Sequence, residues 1–367
     1  MTTSGRALDP PEIESSDAQA SFFMQQGIQL AQSGNDVEAI LHFDHALELR
    51  RQLPTDVPIH AYGLAACWLN RAEALTRLGP DHRALALCAY DEALALLRPL
   101  PLGADARFSK RLAIALQNRA LVLAAQNPPA TADAIAILLE AIVVLEHAES
   151  MDVVERDYLL AVVWTNLANT HASDATIVSD LAAWEAARRA LALVKTHEHE
   201  DAAAAEAGLK ARHVLCQIAA RRLSAQAENE TVMADVHEAT DLADEGLALV
   251  REWEQRGVDR FRDLASDMCQ FGARVYAYYQ PHFLHEFLSE QLDPLQSAHS
   301  YVHSREMQDA VREIVLHTTN EATMRRTRTI HDCRSHHPRT ADATIFTSVH
   351  SLVECSGGRS DSGFSAR

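Results

Sequence analysis

Glycine and proline are scarce in this chain, 13 and 12 in 367 residues. Folds built from many short strands need such residues at frequent turns, so a β-sandwich or barrel is a poor fit. The few glycines are scattered, and they form no G-x-S-x-G elbow, no phosphate-cradling loop and no dinucleotide-binding fingerprint. Catalysis is therefore not expected, and no cofactor is implied. Lysine is nearly missing, with only Lys110, Lys195 and Lys210 among 33 basic residues, against 51 acidic ones. The resulting formal charge of −18 repels phosphate backbones and anionic lipid. Neither nucleic acid nor a membrane is an expected partner. Long apolar runs are also lacking: the densest, residues 134–145, is broken by Glu140 and falls short of the roughly 20 residues that cross a bilayer. Residues 1–20 carry Pro10, Pro11 and an acidic and serine-rich stretch from Glu12 to Asp17, where a secretory signal would need an apolar core. This segment is expected to be disordered. No C-x-x-C pair occurs among the six cysteines, and Cys67, Cys88, Cys216 and Cys269 fall in helical apolar patterns, as reduced thiols do. The expected compartment is the cytoplasm.

What the chain has in abundance is alanine, 62 residues, and leucine, 43, a composition that favours helix. These residues recur in a pattern. The segments Asp91-Glu92-Ala93-Leu94-Ala95-Leu96-Leu97, Arg188-Arg189-Ala190-Leu191-Ala192-Leu193-Val194 and Asp244-Glu245-Gly246-Leu247-Ala248-Leu249-Val250 are versions of one motif. With looser copies included, a small residue stands at Ala46, Ala93, Ala141, Ala190 and Gly246, in steps of 47, 48, 49 and 56. A second marker keeps the same period: Asn70, Asn118 and Asn166 lie 48 apart, each followed two residues later by Ala72, Ala120 or Ala168. Every period holds two amphipathic stretches, for example 59–78 and 82–98, separated by Gly79-Pro80-Asp81, which stops one helix and can cap the next. The unit is an antiparallel helical hairpin. Small residues at fixed places let its two helices approach to roughly 8 Å.

The spacing inside this unit resembles the tetratricopeptide repeat. Phe23, Gly27, Ala39, Phe43 and Ala46 stand at that family's signature positions in the first copy. The second copy has Trp68, Ala72, Ala86, Tyr90 and Ala93, and the third Leu116, Ala120, Ala134, Leu138 and Ala141. A fourth has Trp164, Ala168, Ala183, Ala187 and Ala190, a fifth Cys216, Ala220, Ala239, Ala243 and Gly246, and a faint sixth surrounds Met268, Gly272 and Phe283. The resemblance implies an all-α solenoid of about six stacked hairpins over residues 21–292. Its period of 48, against the family's usual ~34, implies longer helices. Residues 293–318 have the spacing of a capping helix. From Thr319 to the end, alanine and leucine fall away while serine, threonine and arginine rise, so 319–367 is expected to be a disordered tail.

By the same resemblance, first helices line a concave surface that grips an extended peptide. Asn70, Asn118, Asn166 and Asn169 would then offer amide donors and acceptors to a peptide backbone, and Arg71 and Arg119 would offer guanidinium forks to carboxylates. The alternative for the asparagines is to bond the neighbouring helix and fix the stack. The family's basic clamp for an acidic C-terminus does not carry over, because its positions hold Met24, Leu69, Gln117 and Thr165. His282, His285 and Glu286 form an H-x-x-H-E run, which is neither zincin order. His331, Cys333, His336 and His337 sit in the aperiodic tail, and 197–200, His-Glu-His-Glu, reads as a solvated linker. No metal site is expected. The expected function is a non-catalytic protein-interaction scaffold with an acidic surface suited to a basic or extended peptide. The alternatives are a sensor whose curvature responds to a ligand and a metal-dependent enzyme centred on His282 and His285.

Overall fold

A computed structural model of the chain describes residues 10–174, 176–224 and 230–279, and among them there is no strand. The helices are α1 (Pro10–Gln32), α2 (Asp36–Arg50), α3 (Pro58–Arg77), α4 (Arg83–Leu97), α5 (Ala106–Ala124), α6 (Thr131–Glu146), α7 (Val153–Ala172), α8 (Ile177–Val194), α9 (Ala202–Ser224), α10 (Glu230–Gln255) and α11 (Arg262–Tyr279). The fold is the all-α solenoid construction that the period implies. Phe283, the capping stretch 293–318 and the tail 319–367 lie outside the described residues.

The chain divides between Asp152 and Val153 into two compact units. A single domain over 21–292 was the expectation, and the repeat period runs through the division without a break in sequence. Each hairpin of such an array repeats the same local pattern, so the period alone does not mark where the units divide. In the first unit α1 pairs with α2, α3 with α4 and α5 with α6. Each second helix packs on the next first helix, α2 on α3 and α4 on α5, and first helices also touch in turn, α1 to α3 and α3 to α5. In the second unit α7 pairs with α8 and α9 with α10, while α11 packs on both α10 and α9.

The small residues sit where helices meet. Ala39, Ala46, Ala72, Ala86, Ala93, Ala120, Ala134, Ala141, Ala168, Ala183, Ala187 and Ala190 are all fully buried. Gly27 shows why bulk is excluded: a methyl group added there would stand 2.5 Å from Cε1 of the fully buried Phe43. At Gly246 the added carbon would meet Met268 Sδ at 2.7 Å. Phe43 contributes roughly 1.5–3 kcal/mol by its burial, and this contact depends on the missing side chain opposite.

Two local expectations need correction. Helix α1 starts at Pro10 rather than after residue 20, because prolines fit the first helical turn and because Arg50 holds that turn's flank. The buried Arg50 guanidinium donates to Asp17 Oδ1 at 3.2 Å, Ser21 Oγ at 3.1 Å and the Gly63 carbonyl at 2.6 Å, joining α1, α2 and α3. A side chain at Gly63 would lie 2.9 Å from Arg50 Nη1, so this position too requires glycine. After α3, Gly79 does end the helix with φ +101°, but Asp81 makes no side-chain cap and instead sits in a short 3₁₀ turn, Pro80–His82. Side-chain caps occur at Asp105, which accepts from Arg107 N at 2.9 Å, and at Thr176, which accepts from Ser179 N at 3.1 Å.

The run 197–200 is not a solvated linker throughout. Glu198 is buried and accepts from both Nη1 and Nη2 of buried Arg212, at 2.7 and 2.8 Å. Its carbonyl accepts from Trp253 Nε1 at 2.9 Å, so the α8–α9 turn is tied to α9 and α10. Glu245 joins the pair from α10. Burial alone would raise the Glu245 carboxyl, but hydrogen bonds from Lys195 and Arg212 outweigh it and hold the group below its ordinary range. No helix among the described residues is long and apolar enough to cross a membrane.

Gly27→Ala is expected to cost ~1–3 kcal/mol through overpacking, and Phe43→Leu in the same chain should recover part of that loss. Denaturant midpoints of both single variants and the double variant read this coupling; simple additivity would show that the two residues do not meet. Glu198→Ala strands a buried guanidinium and is expected to cost ~3–5 kcal/mol. Because the folded Glu245 carboxyl is held low, its contribution is present above its ordinary value of 4.5 and is lost as pH falls through the lowered folded value. The acid limb of a stability–pH curve should therefore flatten in Glu245→Gln.

Candidate interaction surface

Each hairpin places its two helices in different surroundings. Fourteen of nineteen residues of α5 are buried, and eleven of twenty in α3 and in α7. By contrast α2 and α4 each bury six of fifteen, and α6 five of sixteen. Within their own units α3, α5 and α7 are inner helices packed nearly all round; the terminal α1 is not, with Phe22 58 % exposed, and α2, α4 and α6 form an outer layer with one open face.

This arrangement decides what the expected site residues can do. Asn70, Asn118 and Asn166 are 2, 4 and 0 % exposed, and Asn169 is 9 % exposed. Asn70 Nδ2 donates within its own helix to the Ala66 carbonyl at 2.9 Å. From α5, Asn118 Nδ2 reaches back to Glu73 Oε1 on α3, also at 2.9 Å. Glu73 lies near Tyr90 of α4, whose hydroxyl is pushed far up, first by burial and then by the Glu73 charge. The asparagines are thus buried; the Asn118 bond joins two hairpins, whereas the Asn70 bond stays within its own helix.

Arg71 and Arg119 are also engaged between hairpins. Arg71 Nε donates to Asp44 Oδ1 and Arg119 Nε to Asp91 Oδ1, both at 2.7 Å, so each arginine of a first helix clasps the preceding second helix. Asp36 and Arg77 make a similar clasp between α2 and α3, and Arg98 holds Glu140 through two bonds of 3.0 Å. The sequence reading missed the acidic half of this device. A signal was present, since Asp44 and Asp91 lie 47 residues apart in step with the arginines that they bind.

Much of the open apolar surface lies on the second helices, although Phe22 of α1, Ile59 of α3 and Val153 and Val154 of α7 are exposed as well. On α2 it carries Val37 and Leu41, on α4 Leu85 and Cys88, and on α6 Leu139 and Val143. Leu41, Leu85 and Val143 are 57, 52 and 53 % exposed, unusual for such residues in a folded chain. Acidic Glu48, Glu92 and Glu146 are exposed on the same helices. Burial pushes the Cys216 thiol up to about 12 and the Cys269 thiol up to about 11, which removes both from thiolate chemistry at neutral pH. Among the described residues no group of three or more His, Cys, Asp or Glu side chains could hold a metal ion. His282, His285 and Glu286, like His331, Cys333, His336 and His337, lie outside the described residues.

No family model matches the chain, and no curated protein matches it. Among solved structures it is similar to the nuclear import adaptor Nro1 of S. pombe, at 13 % identity and a TM-score of 0.53, over 82 % of this chain and 99 % of that one. A second structure of Nro1, described as a hypoxic regulator of sterol synthesis and a nuclear import adaptor, matches at 13 % identity and a TM-score of 0.46, over 82 % of this chain and 93 % of that one. At this identity the likeness is one of fold.

Asn118→Ala removes a buried hydrogen bond and is expected to cost ~1–3 kcal/mol, whereas Arg119→Ala, whose partner Asp91 is mostly exposed, should cost less than ~1 kcal/mol. Chemical denaturation compares them directly. Equal small losses would mean that Asn118 does not anchor the stack.

Proposed function

We propose that this chain is a non-catalytic scaffold of tetratricopeptide type that binds a partner protein, and that it works in the cytoplasm. The observation that carries the reading is the contrast between layers: an inner layer whose polar groups are engaged within the stack, and an outer layer that leaves large apolar side chains in water. Apolar exposure of that kind marks surfaces that other proteins cover. In this reading Asn70, Asn118, Asn166 and Asn169, with Arg71 and Arg119, set the spacing and orientation of the hairpins. They support the binding surface without touching the partner. Nro1 is described as an adaptor, and its likeness in fold is consistent with this class of work. Reduced Cys67, Cys88, Cys216 and Cys269 support a reducing compartment.

The test is affinity capture with the tagged full chain from an extract of its native host, quantified against an unrelated helical bait. One or a few proteins retained in near-stoichiometric amounts, and retained equally by Arg119→Ala, are expected. Loss of every partner in Arg119→Ala with stability unchanged would return the binding role to the arginine itself. Retention of nothing above background would remove the scaffold reading.

A further inference from the structure

Resting on the scaffold reading, we infer that the outer faces of α2 and α4, continued by α6, form a docking strip for a basic amphipathic segment of the partner. The strip follows from register. The buried alanines 39, 86 and 134 occupy one repeat position, and the residues two before them are Val37, Ala84 and Ala132, all exposed. Two after them stand Leu41, Cys88 and Ala136, also exposed, with Leu85 beside this row. An apolar row therefore crosses the N-terminal halves of three successive second helices.

One turn further along, the chemistry changes. Position five after the alanine holds Asp44 and Asp91, and Glu92 and Glu48 follow on the same open faces. Asp44 and Asp91 already accept from Arg71 and Arg119 on the inner side, which fixes their direction. Together α2, α4 and α6 carry nine acidic residues against two arginines, of which Arg50 is buried and Arg83 is the other. An apolar row flanked by carboxylates complements a helix with a leucine-like face and lysines or arginines beside it. The second unit lacks the combination: α8 exposes Val178 and Leu181 but has Arg188 and Arg189 in the places of the acids, and α10 keeps Asp244 and Glu245 but has exposed His237 and Asp241 in place of the apolar row. That difference confines the strip to the first unit and selects a basic occupant for it.

Cys88 lies within the strip and is exposed, while Cys67, Cys216 and Cys269 are buried. Its thiol is therefore a built-in footprint.

The experiment uses the full chain and a fluorescein-labelled leucine–lysine peptide of about 18 residues with an amphipathic helical pattern. Controls are a scrambled peptide of the same composition and a leucine–glutamate version. Saturable binding that weakens with salt is expected, together with slower maleimide labelling of Cys88, followed by mass spectrometry of its own proteolytic fragment. The double variant Leu41→Lys with Leu85→Lys, and separately Glu92→Lys, should each lose about tenfold or more in affinity with helical content and melting temperature unchanged. Equal binding by the scrambled or acidic peptide, an unprotected Cys88, or full affinity in the variants overturns the strip. So does concentration-dependent self-association that Leu41→Lys with Leu85→Lys abolishes, because the occupant would then be a second copy. A native partner captured equally by wild type and the double variant leaves the scaffold standing and removes only the strip. Absence of any captured partner removes the scaffold itself.

Discussion

The close approach of paired helices at positions without bulk is the constraint on which the rest of the structure depends. Gly27 against Phe43 and Gly246 against Met268 are its tightest expressions, and the fully buried alanines repeat it through both units. Where backbones come this near, leucines and aromatics on either side fill the grooves at interior density. The inner helix is then covered by its own partner and by the hairpins on each side. Such an arrangement leaves little surface open along the middle of α3 and α5, and in the first unit most of the open large apolar side chains stand on second helices.

Polar groups inside the stack follow from the same geometry. A helix packed nearly all round has no water for its side-chain amides, so each must find a protein partner or lose a hydrogen bond. Asn118 takes Glu73, and Asn70 takes a carbonyl of its own helix. Charges at the edge of the inner layer meet those at the edge of the outer one, giving the Arg71–Asp44 and Arg119–Asp91 clasps. Individually these exposed pairs contribute little, but they occur at two successive hairpin junctions and orient the carboxylates that border the apolar row. Packing and surface chemistry are in this way linked through a single set of side chains.

Hairpin boundaries and core positions were legible because they repeat. Boundaries near 59 and 78 agree with α3 to within a residue or so, and the alanines marked by the period are buried apart from the half-buried Ala220. Contacts that occur once escaped notice. Glu198 sits between two histidines and before another acid, a context that reads as solvent-facing, yet a buried Arg212 fourteen residues away claims it. The start of α1 was masked by two prolines that interrupt helices elsewhere but suit a first turn. The period of the asparagine ladder marks its positions as constrained without saying whether solvent or a neighbouring helix imposes the constraint, so peptide binding and fixing of the stack both stay open in the sequence. The same ambiguity hid Asp44 and Asp91, whose period was as clear as that of the arginines they bind.

The long period bears on how much of each helix is covered. A helix of 20 residues, as in α3, is ~30 Å long, and α5 with 19 is nearly equal. Extending a hairpin adds apolar positions to both helices, but only the inner one has neighbours along its whole circumference, so added length buries it further while the outer helix gains as much open face as covered face. Polar residues near the middle of such a helix are interior and find partners there, as the Asn118 amide nitrogen finds Glu73. In the scaffold proposed above, a partner arriving from solvent would then meet α2, α4 and α6 before α3 and α5.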